Sequence, residues 1–357
     1  MWGVKEVGWE GCGEEGGKFF FHRHTIIFST RSYCSRIGPV VQLNRTSDSG
    51  SESRGFESRR GHQDMKKSTH PLLQLLVMLA MALGLMLVAT LVTAPVLVLS
   101  GGTVSTRAIL VTQAVTQVLT FLVPVALMTI IYYRGRQREF YRLDFGGQKW
   151  LYGLAGVVIM LLFIPVNDWL TEWNDSWDLG RVGELLRSLQ EQTEGILKQI
   201  VAADTVGGLL ANLLVVALIP AVCEEVFFRA GIQNQLQRWI SADGRKPWGV
   251  HMAVWLTAVI FSLGHGEIFA FMPRLLMGAT LGYLYVYGGS ILPNMLAHFV
   301  NNALVVVLYW LVARGALDID PEAPLHVGLE LTVCCTAAAV ALFVVTFVRR
   351  QDNHPRG

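Results

Sequence analysis

The sequence predicts an all-α protein of the polytopic membrane class, a bundle of about eight transmembrane helices. The first observation behind this prediction is composition: of 357 residues, 52% are hydrophobic and only 16% are charged. An average soluble chain carries roughly 25% charge. The second is that the apolar residues fall in runs long enough to cross a bilayer, and the third is that basic residues cluster between alternate runs. A mean hydropathy of +0.42 excludes a disordered chain and is unlike that of an ordinary soluble enzyme.

The first 64 residues differ from the rest of the chain. The segment 44–63 is rich in Ser, Arg and Gly and has no apolar periodicity, a composition that predicts disorder. Met65-Lys66-Lys67 and the apolar run after it resemble the start of a bacterial membrane protein. We therefore expect residues 1–64 to be translated upstream sequence that is not native. The remainder divides into three segments: 65–204 with helices 1–3 and an outer amphipathic loop, 205–312 with helices 4–7, and 313–357 with helix 8 and a tail.

Eight apolar runs meet the length of about 20 residues that a 30 Å hydrocarbon layer requires. They are 72–99, 107–133, 150–170, 205–223, 250–265, 271–289, 291–313 and 328–348. Lys and Arg before run 1, between runs 2 and 3, between runs 4 and 5, and after run 8 fall on one side. The positive-inside rule places that side in the cytoplasm. We expect a multi-pass protein of the bacterial inner membrane with both termini cytoplasmic, and an amphipathic helix over 182–200 on the outer surface.

Proline and glycine positions predict local features of the helices. Five prolines lie inside or beside apolar runs, where proline bends a helix: Pro95, Pro124, Pro165, Pro220 and Pro293. Gly278 and Gly282 are four residues apart in run 6, a spacing that favours close approach of a neighbouring helix.

The first group of unexpected polar residues directly follows run 4. Glu225 and Arg229 are four residues apart, so on a helix they face each other and can neutralise each other. Glu224 points about 100° away and lacks that partner, which leaves its carboxylate for chemistry. Alternatively, both acids mark the cytoplasmic end of the fourth span. Adjacent acids at a helix C-terminus oppose the helix dipole, which weakens this alternative.

Two further groups lie in later spans. His265 follows Phe261 at the end of run 5, and His298 and Asn302 lie one turn apart in run 7. A lone His at a span end is more often a packing residue, and a His with an amide can serve only to hydrogen-bond across the bundle. Ionisable groups at membrane depth nevertheless indicate function. Taken together with Glu224, these residues form a set that can activate water.

The three motifs, in this order, resemble those of a known family. EExxxR at 224–229, FxxxH at 261–265 and HxxxN at 298–302 are similar to the motifs of the CAAX protease and bacteriocin-processing (Abi, CPBP) family, which includes the type II CAAX prenyl endopeptidase. The resemblance covers about 205–312. It implies a helical bundle around a polar catalytic cavity, and an intramembrane endopeptidase activity.

The resemblance also implies roles for individual residues. Glu224 and His265 would activate water, His298 and Asn302 would orient that water or stabilise the oxyanion, and Glu225 and Arg229 would support the site. The chain has no H-E-x-x-H signature of common zinc proteases, and Asn is a poor zinc ligand. We therefore favour glutamate-type catalysis without a cofactor. The alternative is a metalloendopeptidase with zinc held by Glu224, His265 and His298.

Other classes of protein stay open at this stage. One is a non-enzymatic bacteriocin-immunity or scaffold protein that retains the pocket, and another is a transporter in which Glu224, His265 and His298 relay protons. The partners we expect are the lipid bilayer and a membrane protein or lipidated peptide as substrate. A net charge of +2 gives no indication of nucleic-acid binding.

Overall fold

The computed structural model describes residues 69–99, 105–144, 146, 149–203, 205–241, 246, 248–321, 325 and 327–348. Within these residues there is no β-strand, so the predicted all-α class is confirmed. The predicted disorder of 1–64 and the predicted tail after Val348 lie outside the described residues. The helices are α1 Pro71–Leu99, α2 Thr106–Tyr132, α3 Gln137–Tyr141, α4 Lys149–Leu162, α5 Ile164–Asp175, α6 Gly180–Val201, α7 Val206–Ile240, α8 Trp248–Gly264, α9 Phe271–Gly288, α10 Leu292–Ala313 and α11 Leu329–Val348.

Apolar helices occupy all eight predicted runs, but the count of eight spans is not confirmed. In the described chain, six helical segments are long and apolar enough to cross a membrane. They are Pro71–Pro95, Thr106–Tyr132, Val206–Ile240, Ile268–Gly288, Leu292–Ala313 and Leu329–Thr346. α4 and α5 make a seventh if the pair crosses as one span, and α8, with 17 residues, is shorter than a standard span. The protein is therefore a multi-pass helical membrane protein with at least six candidate spans in its described part.

Proline accompanies three of the helix irregularities in the described chain, whereas the π-helical stretches Val226–Gln233 and Val344–Val348 contain no proline and Pro95 lies within the continuous helix α1. α4 and α5 meet at Phe163 with a bend of 46°, and Pro165 is in the first turn of α5. π-helical turns over Val118–Leu122 and Leu213–Leu218 directly precede the turns that contain Pro124 and Pro220. Proline has no N–H and its ring collides with the carbonyl one turn earlier. A wider turn before it relieves that collision without ending the helix.

The predicted end of the fourth span at residue 223 is wrong, because the helix continues beyond it. α7 continues to Ile240 through a second π-helical stretch, Val226–Gln233. The prediction was wrong because hydropathy drops at Glu224, whereas the residues that follow are still buried. Residues 224–229 therefore lie inside a helix rather than at its end. The alternative interpretation, in which the two acids mark the end of the fourth span, is therefore wrong.

Close packing around α9 brings three helices together beside these residues. A Cβ placed on Gly278 would lie 3.2 Å from the backbone of Ala258 and 3.2 Å from the Phe261 ring, so α8 approaches α9 at this glycine. A Cβ on Gly282 would meet Val254 at 2.9 Å and Gln233 at 3.1 Å. The predicted role of the two glycines in helix packing is confirmed. This close packing places Phe261, the first residue of FxxxH, next to α7, the helix that carries EExxxR.

The amphipathic helix predicted for 182–200 is present as α6. Val182, Leu185 and Leu189 on this helix are 65%, 63% and 50% exposed. Arg187 connects α6 to the rest of the bundle through two contacts. Its Nη1 lies 2.6 Å from Asp175 Oδ1, and its guanidinium stacks 4.0 Å from the centre of the Phe269 ring. The exposed apolar face fits a helix that rests on a membrane surface.

Cysteine labelling tests whether α4 and α5 cross the membrane as one span. Arg134 precedes α4 and Ser176 follows α5, and both are exposed. In a chain whose native cysteines are replaced by alanine, Arg134→Cys and Ser176→Cys should react with a membrane-impermeant maleimide from opposite sides. The cysteine-free chain is the control. Labelling of both positions from one side would make the pair a re-entrant hairpin.

Candidate active site

Three helices bring five of the six predicted site residues together. Glu224, Glu225 and Arg229 lie on α7, His265 follows the last residue of α8, and His298 is in the second turn of α10. His265 Nε2 and His298 Nε2 are each 3.9 Å from Glu224 Oε2. Residues separated by up to 74 positions in the sequence thus converge on one carboxylate oxygen.

A buried chain of charges supports one side of the site. Arg229 Nε donates to Glu225 Oε2 at 2.9 Å, and Glu225 Oε1 is 3.0 Å from His298 Nδ1. The side chains of Arg229 and Glu225 have no exposed surface, and that of His298 is 2% exposed. Both terminal nitrogens of Arg229 are buried without a hydrogen-bond partner among the described residues. Glu225 is therefore the group that neutralises Arg229.

Glu224 is held differently from its neighbour. Its Oε1 accepts a hydrogen bond from the side-chain amide of Gln117 at 3.3 Å. Its Oε2 faces the two imidazoles at a distance too long for a direct hydrogen bond. The side chain is 8% exposed. The two oxygens of Glu224 thus have separate surroundings, one fixed by an amide and one directed into the site.

The partners of the two Nδ1 atoms determine what each imidazole presents to Glu224. His265 Nδ1 is 2.8 Å from the Phe261 carbonyl oxygen, which can only accept, so this Nδ1 carries the proton. Glu225, paired with Arg229, is an acceptor too, so His298 Nδ1 is also protonated. In a neutral ring the other nitrogen is then an acceptor. Both Nε2 atoms are left available on the side of Glu224 Oε2.

Phe261 contacts both imidazoles. Its ring centre lies 4.8 Å from that of His265 and 6.1 Å from that of His298, and the Arg229 guanidinium carbon is 5.5 Å from the ring centre. The residue is fully buried. Its carbonyl fixes the tautomer of His265 while its ring packs beside His298. This double contact gives a physical reason for Phe at the first position of FxxxH.

Within the described chain, Asn302 forms neither a hydrogen bond nor an ion pair with any of the other five predicted site residues. It lies one turn after His298 on α10. Among the described residues its side-chain oxygen accepts from Asn301 Nδ2 at 3.4 Å. A role for Asn302 in orienting water or stabilising an oxyanion therefore stays a prediction from its position on the helix.

The zinc alternative can be compared with these distances. A tetrahedral zinc ion with bonds of about 2.0–2.1 Å holds neighbouring ligand atoms about 3.4 Å apart, whereas the two imidazole nitrogens each lie 3.9 Å from Glu224 Oε2. In the part of the chain that the structure describes, no three His, Cys, Asp or Glu side chains form a metal-binding cluster. Glu224, His265 and His298 would have to move closer together to bind zinc.

Gln117 is a site residue that the sequence did not reveal. It lies on α2, 107 positions before Glu224, at the start of a π-helical stretch. One glutamine in an apolar run carries little signal by itself. The signal that could have found it is a polar side chain inside a predicted span.

A helical membrane bundle that gathers a carboxylate and two imidazoles holds groups that can activate water. Residues 206–304 match the family model described as type II CAAX prenyl endopeptidase Rce1-like. The family inferred from the three motifs is thereby confirmed for this segment, which contains all six predicted site residues. The segment is related to the CAAX-type intramembrane endopeptidases. No curated protein and no solved structure matches the chain.

Removal of each acid should affect stability differently. Glu225→Ala leaves Arg229 buried and unpaired, which costs about 3–5 kcal/mol, whereas Glu224→Ala removes an acid that no cation pairs with in the described chain and should change the melting temperature little. Thermal unfolding in detergent measures both. The double variant Glu225→Leu/Arg229→Met should recover much of the loss, because it removes both charges. Equal destabilisation by the two single variants would contradict the assignment of the ion pair.

Proposed function

We propose that this protein is an intramembrane endopeptidase that hydrolyses peptide bonds of membrane-associated proteins or lipidated peptides. The observation that carries the proposal is the convergence of Glu224 Oε2 with the Nε2 atoms of His265 and His298. Distances of 3.9 Å suit a shared water molecule that bridges the carboxylate and an imidazole. The match of residues 206–304 to a CAAX endopeptidase family supports the same reaction class.

In the proposed mechanism, Glu224 is the general base. It takes a proton from the bridging water as the water oxygen attacks the scissile carbonyl carbon, and His265 Nε2 holds the same water. The tetrahedral intermediate collapses when the C–N bond breaks and the leaving nitrogen receives that proton. Gln117 keeps Glu224 Oε1 occupied, so Oε2 is the oxygen that accepts the proton.

The second imidazole has a different part in the proposal. Glu225 lies behind His298 Nδ1, and a carboxylate in that position stabilises positive charge that forms on the ring during the reaction. In this proposal, His298 Nε2 takes the water-derived proton from Glu224 Oε2, donates it in a hydrogen bond to the oxyanion with Asn302 as a second donor, and then delivers it to the leaving nitrogen. Preorganised donors of this kind are often the largest contribution to acyl-transfer catalysis.

We propose that this chemistry needs no metal. Gln117 binds Oε1 of Glu224, which leaves Oε2 to receive a proton. Glu225 binds Nδ1 of His298, which leaves Nε2 to accept and donate a proton. Water between Glu224 and an imidazole supplies the nucleophile. Zinc bound by Glu224, His265 and His298 is the competing proposal, and it would occupy the position assigned to the water.

The proposed setting is the inner membrane of a bacterium, with both termini in the cytoplasm. The basic residues between the predicted spans support this orientation. Lipid surrounds the apolar helix faces, and the substrate enters from the bilayer or its cytoplasmic surface. The acidic outer segment containing α6 would face away from the cytoplasm.

Loss of cleavage in Glu224→Gln tests the function. Membranes from cells with the parent chain or the variant are compared for new peptide termini, and peptides cleaved only by the parent become synthetic substrates. The variant should cleave these about 10²–10⁴-fold more slowly with an unchanged melting temperature. Glu330→Gln, an exposed acid on α11, is the matched control. Undiminished cleavage, or a cellular phenotype that survives the substitution, would favour a scaffold or immunity protein.

The same assay includes a metal arm. Chelator-treated parent protein should retain its rate, and added zinc should inhibit by binding the imidazoles of His265 and His298. Elemental analysis of the purified protein accompanies these rates. Zinc at about one ion per chain that restores the activity of inactive metal-free protein would establish the metalloendopeptidase instead.

Gln117 should affect turnover rather than substrate binding. A hydrogen bond to a charged group contributes about 1.5–3 kcal/mol, so Gln117→Leu should lower kcat by roughly 10–100-fold with little change in KM. Gln113→Leu, one turn earlier on α2, is the matched control and should retain the parent kcat. Equal effects of the two variants, or a change in KM alone, would remove Gln117 from the site.

A further inference from the structure

A basic pocket lies at the end of the bundle where α2 ends and α4 begins. Its volume is about 500 Å³. Four cationic side chains line it, together with Leu143 and Gly289: Arg136, Arg138, Arg142 and Lys149. Three separate stretches of chain supply these residues, namely the α2–α4 connection, the first residue of α4 and the residue that follows α9.

Two of the four cations are already neutralised. Arg136 forms a two-bond pair with Glu139 at 2.8 and 2.9 Å, and Lys149 Nζ lies 2.5 Å from Asp144 Oδ2. The hydrogen bond from Arg136 lowers the pKa of Glu139, and the hydrogen bond from Lys149 lowers that of Asp144. Both acids are therefore ionised at neutral pH and cancel these two cations.

Arg138 and Arg142 supply the remaining charge. Neither forms an ion pair with a described acidic residue. Arg138 is exposed. The pocket thus presents two unneutralised guanidinium groups. Guanidinium groups match the oxygens of a phosphate with paired N–H donors.

The fold holds Arg142 in a defined position. Its backbone is left-handed, with φ 49° and ψ 46°, a conformation that is unfavourable for a residue other than glycine. The backbone N–H of Ile291 donates to its carbonyl at 3.3 Å, and its guanidinium lies 4.6 Å from the ring centre of the buried Tyr285. A surface arginine needed only for membrane orientation does not require this anchoring.

Apolar surface borders the pocket on both sides. Ile130 and Ile131 in the last turn of α2 are 58% and 60% exposed, and Trp150 and Leu154 on one face of α4 are 48% and 50% exposed. These side chains sit at the ends of helices that face lipid. A ligand that fits both surfaces carries an anionic group and long apolar chains.

We propose that this pocket binds the phosphodiester headgroup of an anionic phospholipid through Arg138 and Arg142, with the acyl chains along α2 and α4. Each basic residue near a membrane surface contributes attraction to anionic lipid. The site is separate from the Glu224 centre and does not depend on the proposed proteolysis.

Native mass spectrometry of the full 357-residue chain tests the proposal. The protein is extracted from micelles that contain equal amounts of phosphatidylglycerol and phosphatidylcholine, and the retained lipids are counted over a concentration series. The parent should retain one phosphatidylglycerol preferentially. Affinity should fall about fivefold for each arginine removed, in Arg138→Gln and again in Arg138→Gln/Arg142→Gln. Arg134→Gln, an exposed arginine outside the pocket, should bind like the parent.

Several outcomes would overturn the assignment. Equal retention of phosphatidylcholine by the parent, or equal losses in Arg134→Gln and Arg138→Gln, would show general charge attraction rather than a pocket. Inorganic phosphate is added separately at millimolar concentration. Displacement of the retained lipid by phosphate would identify a site for small anions instead. Arg138→Gln decides the matter by itself if the double variant does not fold, because Arg138 is exposed.

Discussion

The buried pair of Glu225 and Arg229 is the interaction on which the rest of the site depends. Two charges without solvent contact are tolerated only when geometry and further hydrogen bonds offset the loss of hydration. The salt bridge supplies one part, and the bond from His298 Nδ1 to the second oxygen of Glu225 supplies another. Because His298 is on α10, this arrangement also fixes the distance between α7 and α10. The tautomer of His298 and the direction of its Nε2 follow from it.

The two imidazoles of the site have unequal freedom. His298 is enclosed in the middle of the bundle and has a carboxylate behind it. His265 is 29% exposed, follows the end of α8, and is succeeded by Gly266 at φ 72°. A ring at the end of a helix can adjust its position more easily than a ring between packed helices. The site therefore combines a fixed side formed by α7 and α10 with an accessible side formed by His265.

The sequence predicts the parts of the site that depend on local spacing. The pairing of residues 225 and 229 needs only helical periodicity, and it is observed even though the intervening backbone is π-helical. That the polar residues of the three motifs form one site was inferred from the family resemblance and from the cost of polar groups in lipid. Pro165 predicted the bend between α4 and α5 for a similar local reason.

Features that depend on tertiary packing were not predictable. The hydrogen bond between Gln117 and Glu224 depends on how α2 and α7 are rotated about their axes, and no local sequence pattern encodes that rotation. The continuation of α7 past Glu224 was missed because hydropathy registers charge and not its neutralisation by Arg229. The expected position of Asn302 follows from helical spacing, but its hydrogen bond to Asn301 depends on the rotamers of both side chains.

The shortness of α8 has a consequence for how water reaches the site. Seventeen residues make a helix about 26 Å long, while the hydrocarbon layer is about 30 Å thick. Such hydrophobic mismatch is relieved when the adjacent leaflet thins or when the polar end of the helix is drawn below the headgroups. Either adjustment shortens the path from bulk solvent to His265. In the proposed endopeptidase, a helix too short for its membrane would thus bring water, the second substrate, to the carboxylate and the imidazoles.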